Sequence, residues 1–253
     1  MIYNEIDIPL PTHILMIQGM KKLVILTGAG MSAESGISTF RDSDGLWEQH
    51  KVEDIATPEG FAANPARVLS FYNERRKQLF DVEPNLGHEA LAKLEHHFDV
   101  QIITQNVDNL HERAGSSQII HLHGELMKVR STGYPYKEYT LTADNLEINV
   151  GDKAEDGYQL RPHIVWFGES VPQIDPAIKQ VEKADIFVII GTSLNVYPAA
   201  GLLNYVPKGV PIYLIDPKEV STHRKDLHFI QAGASKGVAM LRNILLEENK
   251  ETI

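Results

Sequence analysis

Cysteine is absent from the 253-residue chain. That removes disulfides, thiolate metal sites and cysteine nucleophiles together. Positive charge is also scarce. The chain has 24 Lys and Arg against 34 Asp and Glu, a formal net charge of −10. Nonspecific binding to nucleic acid or anionic lipid needs the opposite sign, so no nucleic-acid or membrane partner is expected. Long apolar runs are missing as well. The longest, "IFVIIG" from Ile186, is far too short to cross a bilayer. The opening "MIYNEIDIPLPTHILMIQGMKK" carries early acidic residues and a mid-segment proline. A secretory leader has a basic start and then an apolar run, so a cytoplasmic location is expected.

Against these absences stand six short apolar runs: "LVILTGAG" from Leu23, "VQIITQN" from Val100, "QIIHLHG" from Gln118, "HIVWFGE" from His163, "DIFVIIGTS" from Asp185 and "VPIYLID" from Val210. Their centres are Val, Ile and Leu with little alternation, the mark of strands buried on both faces of a parallel sheet. Helical patterns lie between several of them. "NPARVLSFYNERRKQLF" opens with Asn64 as N-cap and Pro65 at the first helical position. "HEALAKLEHHF", "DPAIKQVEKA", "PAAGLLNYV" and "KGVAMLRNILLEENK" read as further helices. Strands alternating with helices give an α/β fold, a Rossmann-like doubly wound parallel sheet.

Two stretches break the alternation. Ser43 to about Phe80 is a loop and a helix without a strand signal. Ser131–Leu160 is polar and turn-rich, with a short hairpin expected around "KEYTLTAD" and "LEINVGD". Both read as excursions that join into a small inserted second lobe. The expected division is 1–43, 81–130 and 161–253 for the Rossmann-like domain, and 44–80 with 131–160 for the small lobe.

After the first run comes "TGAGMSAESGISTFRDSDGLW", Thr27 to Trp47. Gly28 and Gly30 sit where a strand turns into a helix, a place where backbone N–H groups hold a pyrophosphate. Ala33 stands at the third position of the G-x-G-x-x-G pattern. By itself the pattern also describes a tight turn with no ligand. The acidic residue that anchors a dehydrogenase's ribose about 20 residues later is missing, which disfavours hydride transfer.

The other strand ends are polar. They carry Gln105, Asn106 and Asp108; His121 and His123; Trp166 to Glu169; and Gly191 to Gly201. Taken singly, such residues cap helices and close turns. Converging on one rim of a sheet, they suggest a site. The spacing of the two histidines fits a metal half-site, a proton-transfer group or two unremarkable polar residues.

"GAGMSAESGISTFR", "TQNVDNLHERAG", "HLHGEL" and "GTSLNVYPAAG", in this order, resemble the motif set of the sirtuins, the NAD-dependent protein lysine deacylases. The likeness runs from about Leu23 to the C-terminal helix. It implies His123, directly before Gly124, as general base, with His121 in support. Gln105, Asn106, Val107 and Asp108 are then expected around the nicotinamide and its ribose, Asn106 orienting ribose or water. Gly28, Ala29, Gly30, Ser32, Glu34, Thr39, Arg41 and Trp47 would serve the phosphates and ribose, and Phe40 would shelter the reactive carbon. Gly191, Thr192, Ser193 and Ala234 are assigned to the adenosine half. Ile215, Asp216 and Pro217 join them, although "LIDPKEV" departs from the Asn-x-Glu that relatives often have there.

The same resemblance lays the substrate peptide as an added strand beside Val165, Trp166, Phe167, Gly168 and Glu169. Trp166 and Phe167 also suit an ordinary aromatic core. "VEDIATPEGF" and "FYNERRKQ" resemble the branch that removes acidic acyl groups such as succinyl. There Ala56, Tyr72 and Arg75 hold the acyl group, Arg75 by its forked donors. "RRK" otherwise reads as a solvated basic helix face. The implied substrates are acylated lysines of proteins or peptides, and the implied cosubstrate is NAD. Most sirtuins carry a four-cysteine zinc module after "KVR". Ser131 stands at its first position, and no structural zinc is expected. An ADP-ribosyltransferase is the alternative reading, since it breaks the same glycosidic bond. A noncatalytic NAD-binding module is a third.

Overall fold

Leu23, Val24, Ile25 and Leu26 are all fully buried, and so are Phe187 to Ile190. A residue on either face of such a strand needs cover, which here comes from helices on both sides. The computed structural model describes residues 19–38 and 51–251. Its main sheet holds β1 (Lys22–Thr27), β2 (Asp99–Thr104), β3 (Ile119–His121), β7 (Ile186–Ile190), β8 (Ile212–Asp216) and β9 (Leu227–Gln231). All pairings are parallel, in the order β3-β2-β1-β7-β8-β9.

The period of two sorts the core. Leu23, Ile25, Ile102 and Val188 face Leu91, Leu94, Val238 and Leu241, the apolar stripes of α4 (Leu86–Leu94) and α7 (Ala234–Glu251). Val24, Leu26, Phe187 and Ile189 face Ala177 and Val181 of α6 (Ile174–Val181) and Leu202 and Leu203. Each fully buried Leu or Ile contributes roughly 2 kcal/mol of transfer free energy. "PAAGLLNYV" is not an α-helix: Ala199–Tyr205 winds as a 3₁₀ helix. β9 has no counterpart among the six runs. It is an edge strand whose only buried residue is Ile230, so its sequence lacks a continuous apolar stretch.

"HIVWFGE" is not a strand of this sheet. Leu160–Ile164 (β6) lies in a second sheet, antiparallel to β4 (Gly124–Ser131), with β5 (Glu138–Thr140) on β4's other side. Gly124 starts the departure. Its φ is +84°, and a Cβ there would run into the His163 backbone. Glycine is therefore required where β4 and β6 come together. "KEYTLTAD" supplies β5, but "LEINVGD" forms no strand, so the expected hairpin is replaced by pairing with β4.

The small sheet packs on α1 (Val52–Ile55), α2 (Pro58–Ala63) and α3 (Pro65–Phe80). α3 begins as its sequence dictates, with Asn64 Oδ1 accepting from Arg67 N at 3.0 Å and Pro65 in the first turn. α5 (Leu110–Arg113) is a single turn between β2 and β3.

Candidate active site

Thr27 and Thr104, the last residues of β1 and β2, are partners in register. The loops that follow them therefore start side by side. Gly28 N donates to Ile190 O and Gly30 N to Gly191 O, which ties the glycine turn to the loop after β7. The approach is too close for side chains: a Cβ on Gly30 would stand 2.7 Å from Gly191 Cα, and Gly191 has φ +61°. No long helix starts here. Ala29–Met31 and Ala33–Ser35 are short 3₁₀ turns. Met31 N and Ser32 N bond to Gly28 O and Ala29 O, so between Gly28 and Ser32 the Ala29 N–H alone has no partner among the described residues. The glycines serve loop-to-loop packing first.

These loops, α3 and the segment after β6 enclose a cavity of about 740 Å³. Gly28, Ala29, Gly30, Glu34, Gln105, Asn106, Val107, His123, Gly191, Thr192, Ser193, Asp216 and Pro217 all line it. So do Ala56, Tyr72, Arg75, Val165, Trp166, Phe167, Gly168 and Glu169. Ser32 and Asp108 line a smaller adjoining cavity of about 20 Å³, which shares Ala29, Arg75, Asn106 and Val107. Ile215 and Ala234 reach neither; both are packed in the core behind the wall. Thr39, Phe40, Arg41 and Trp47 lie outside the described residues. The sequence reading missed Phe71, Asn195 to Pro198, and Lys218 to Ser221, which also line the large cavity. Asn195 to Pro198 were within reach, since "GTSLNVYPAAG" contains them and only its first three residues were assigned.

His123 and His121 both reach for the turn after β2, yet they end in opposite states. His123 Nδ1 is 3.0 Å from Gln105 O. A carbonyl only accepts, so Nδ1 carries the proton and Nε2 keeps its lone pair. Burial pushes the His123 pKa below its ordinary 6.5, opposed by the bond to Gln105. His121 Nδ1 donates to Asn106 O at 3.2 Å, and its Nε2 meets Glu112 Oε1 at 2.6 Å. Burial opposes charging of His121, but the hydrogen bond and charge of Glu112, with Glu125 and Asn106 O, outweigh it and raise its pKa. His121 lines neither cavity.

Asn106 Nδ2 donates to Gly28 O and to Ser32 Oγ, both at 3.1 Å, and Ser32 Oγ donates to Asp108 Oδ2 at 2.9 Å. Both amide hydrogens of Asn106 are therefore held by the glycine loop, and its Oδ1 remains as an acceptor. Burial raises the Asp108 pKa against the pull of Leu110 N–H and Ser32.

On the other wall, Tyr72 and Arg75 project from one face of α3. Burial pushes Tyr72 up to about 12, against the Trp166 N–H and the charges of Arg75, Arg161 and Arg76. Its hydroxyl accepts from Trp166 Nε1 at 3.0 Å. Arg75 is not on a solvated face. Its Nη1 is buried and has no hydrogen-bond partner among the described residues. Burial lowers its pKa, with Tyr72 and Asp108 opposing. Arginine starts so high that it stays cationic. Glu169 is engaged by Arg161 at 2.6 and 3.1 Å and by Trp166 N at 2.8 Å, so it fixes the wall. The N–H groups of Val165, Trp166 and Phe167 bond to His123 O, Glu169 Oε2 and Ala56 O. An added peptide strand would have to donate to this segment's carbonyls.

The residues do not fit a zinc ion. Ser131 Oγ accepts from Gly133 N at 2.9 Å, and among the described residues no group of three or more His, Asp or Glu is placed to hold a metal.

The strand order reverses between β1 and β7, and ligands of open parallel sheets bind at that crevice. The large cavity opens there, which makes the chain a dinucleotide-site α/β protein by class. Comparison supplies the family. Residues 28–198 match the Sir2 family model, and the chain belongs to that family. It is 64% identical over 231 residues to an NAD-dependent protein deacylase of Bacteroides thetaiotaomicron, covering 90% of this chain and 99% of the relative. It is 59% identical over 204 residues to one of Helicobacter pylori, covering 81% and 88%. Among solved structures, an ADP-ribose complex of a Sir2 homologue superposes with TM-score 0.82 at 40% identity, covering 91% of this chain and 95% of that one. A Sir2 homologue–NAD complex gives TM-score 0.78 at 40% identity, covering 91% and 93%.

Proposed function

We infer that the chain is an NAD-dependent protein lysine deacylase that gives nicotinamide, O-acyl-ADP-ribose and free lysine, and that it prefers succinyl and malonyl over acetyl groups. Family membership and deacylase relatives support the reaction. The acyl preference rests on one observation, the unpartnered buried Nη1 of Arg75 on the cavity wall. A buried guanidinium nitrogen without a hydrogen-bond partner is costly, and a carboxylate entering the cavity would relieve that cost.

Bound NAD supplies a ribosyl carbon whose bond to nicotinamide is broken. In this proposal His123 Nε2 takes the proton of a ribose hydroxyl, Asn106 Oδ1 accepts from the ribose or a water, and Asp108 accepts from the carboxamide. Ser32 keeps Asp108 and Asn106 in place. Gly28, Ala29, Gly30, Glu34 and Gln105 to Asp108 carry the nicotinamide and phosphate half. Gly191, Thr192, Ser193, Asp216 and Pro217 carry the adenosine half. Thr39, Phe40, Arg41 and Trp47 are assigned by the motif alone, as are Ile215 and Ala234, which pack behind the wall.

Trp166 and Phe167 wall the lysine channel, with Val165, Gly168 and Glu169 beside the peptide and Ala56 and Tyr72 beside the acyl group. We assign 1–43, 81–130 and 161–253 to the Rossmann-like domain and 44–80 with 131–160 to the small lobe, with β4 and β6 running across the boundaries. A cytoplasmic location and a zinc-free lobe belong to the same proposal.

The test is a panel of acyl-lysine peptides incubated with NAD and read by mass. O-succinyl-ADP-ribose, formed with a higher kcat/KM than the acetyl product, is expected. ADP-ribosylated peptide in its place would favour the transferase reading, and equal rates would remove the acyl preference.

A further inference from the structure

Two histidines take no part in the chemistry above, although they lie directly beneath it. His88 is fully buried in the first turn of α4, and His111 in α5 is 1% exposed. Their ring centroids are 4.8 Å apart at an interplanar angle of 64°. A backbone N–H fixes the tautomer of His88, and the orientation of the Thr27 hydroxyl sets that of His111. Asn85 N–H points at His88 Nδ1 from 3.3 Å, so Nδ1 accepts and Nε2 carries the proton. The Thr27 hydroxyl donates to Thr104 Oγ1 at 2.9 Å. With the Thr27 proton directed at Thr104, His111 Nε2, 3.2 Å from Thr27 Oγ1, takes the donor role and His111 Nδ1 is an acceptor.

The two ring nitrogens left over are His88 Nε2 and His111 Nδ1. Both are buried without a partner among the described residues. One is a donor, the other an acceptor, and they belong to rings in contact. Buried polar atoms are normally paired, and since the two nitrogens make no direct hydrogen bond, one water between the rings would complete this complementary pair. Burial pushes His88 down to about 4, with Glu112 and Glu34 opposing. It also pushes His111 well below its usual value, helped by His88 and His121. Both rings are neutral wherever His123 works as a base.

The far ends of this chain are the two NAD loops. Thr104 Oγ1 also accepts from Asn106 N at 3.0 Å. At the start, Asn85 Nδ2 donates to Met31 O at 2.8 Å and to Ser35 Oγ at 3.1 Å, in the glycine segment. We propose that Asn85, His88, His111, Thr27 and Thr104 form one directional hydrogen-bond relay that holds the glycine loop and Asn106 in register, with His111 as a positioning residue for the NAD reaction. The relay touches no part of the acyl or peptide side. It rests on the deacylase reading only for its kinetic readout.

The test uses the full chain, with kcat, both KM values, NAD affinity by calorimetry and Tm. His111→Phe keeps the ring volume and removes both nitrogens. It is expected to lower kcat/KM for NAD by about tenfold or more, since displaced loops misplace the reacting groups, and to leave KM for the acyl peptide unchanged. His111→Gln restores an N–H near the Nε2 position and is expected to recover most of the loss. Thr27→Val cuts the same relay. The double variant T27V/H111F should lose no more than the worse single variant, because one broken link disables the whole.

A fall in Tm with unchanged kcat/KM for NAD would overturn the proposal, as would losses that multiply in the double variant. Should His111→Phe not fold, Thr27→Val alone and with His111→Gln decide it: wild-type kinetics in Thr27→Val would overturn it. If the unaltered chain deacylates nothing, the functional reading fails, and NAD affinity across the same variants still judges the relay.

Discussion

Two histidines separated by one leucine differ by what each second nitrogen meets. His123 lines the cavity and its Nε2 has no partner among the described residues, whereas His121 Nε2 meets Glu112 at 2.6 Å. A depressed pKa means that His123 is already neutral at neutral pH and is protonated only as the pH falls below 6.5. kcat/KM is therefore expected to be flat near neutrality and to drop on an acidic limb beneath that value; a limb centred above pH 7 would contradict His123 as the base. His123→Ala is expected to lose turnover by about a hundredfold or more while NAD binding, followed by calorimetry, persists. For Arg75→Met, desuccinylation should fall steeply and deacetylation little. An equal loss of both activities would assign Arg75 to general packing instead.

At the scale of elements, α3 carries the acyl pocket on one side and a buried anchor on the other. Arg76 is fully buried. Its Nε donates to Leu126 O at 2.9 Å and its Nη1 to Asn73 Oδ1 at 2.6 Å and Leu146 O at 3.3 Å. Asn73 in turn binds Ile148 through both N and O. The segment that would surround a zinc module is thus pinned to α3 by an arginine, an asparagine and the cluster of Leu69, Val129, Leu141 and Ile148. Burial lowers Arg76 only to about 10, so it remains charged. Arg76→Met is expected to destabilise the fold by on the order of 3 kcal/mol, read by urea unfolding, because it takes the arginine donor from the Leu126 and Leu146 carbonyls and from Asn73 Oδ1. Nothing in "RRK" separates Arg76 from its neighbours; only the turn of the helix against β4 assigns one arginine to the cavity, one to the core and the lysine to solvent.

For the molecule as a whole, stability is expected to come from packing without a metal. Chelator should leave the Tm unchanged, and metal analysis of the purified protein should give far less than one zinc per chain. Stoichiometric zinc would overturn this. The sequence by itself determined the parallel sheet, because runs such as "LVIL" and "IFVII" have no polar face and need helices on both sides. It also determined the absence of thiolate zinc, and the motif order that carries the family. Tertiary structure decided the rest. "HIVWFGE" has the composition of a parallel strand, but Gly124 brings β4 against its first two residues, which end β6 in the small sheet, and Val165 to Glu169 form no strand. The glycine turn reads as a phosphate cradle, yet most of its N–H groups bond to Ile190, Gly191 and their own loop. Composition reports how much surface a segment must bury. It does not report which partner arrives to bury it, and that partner decides whether an Arg faces a cavity or a His keeps its lone pair.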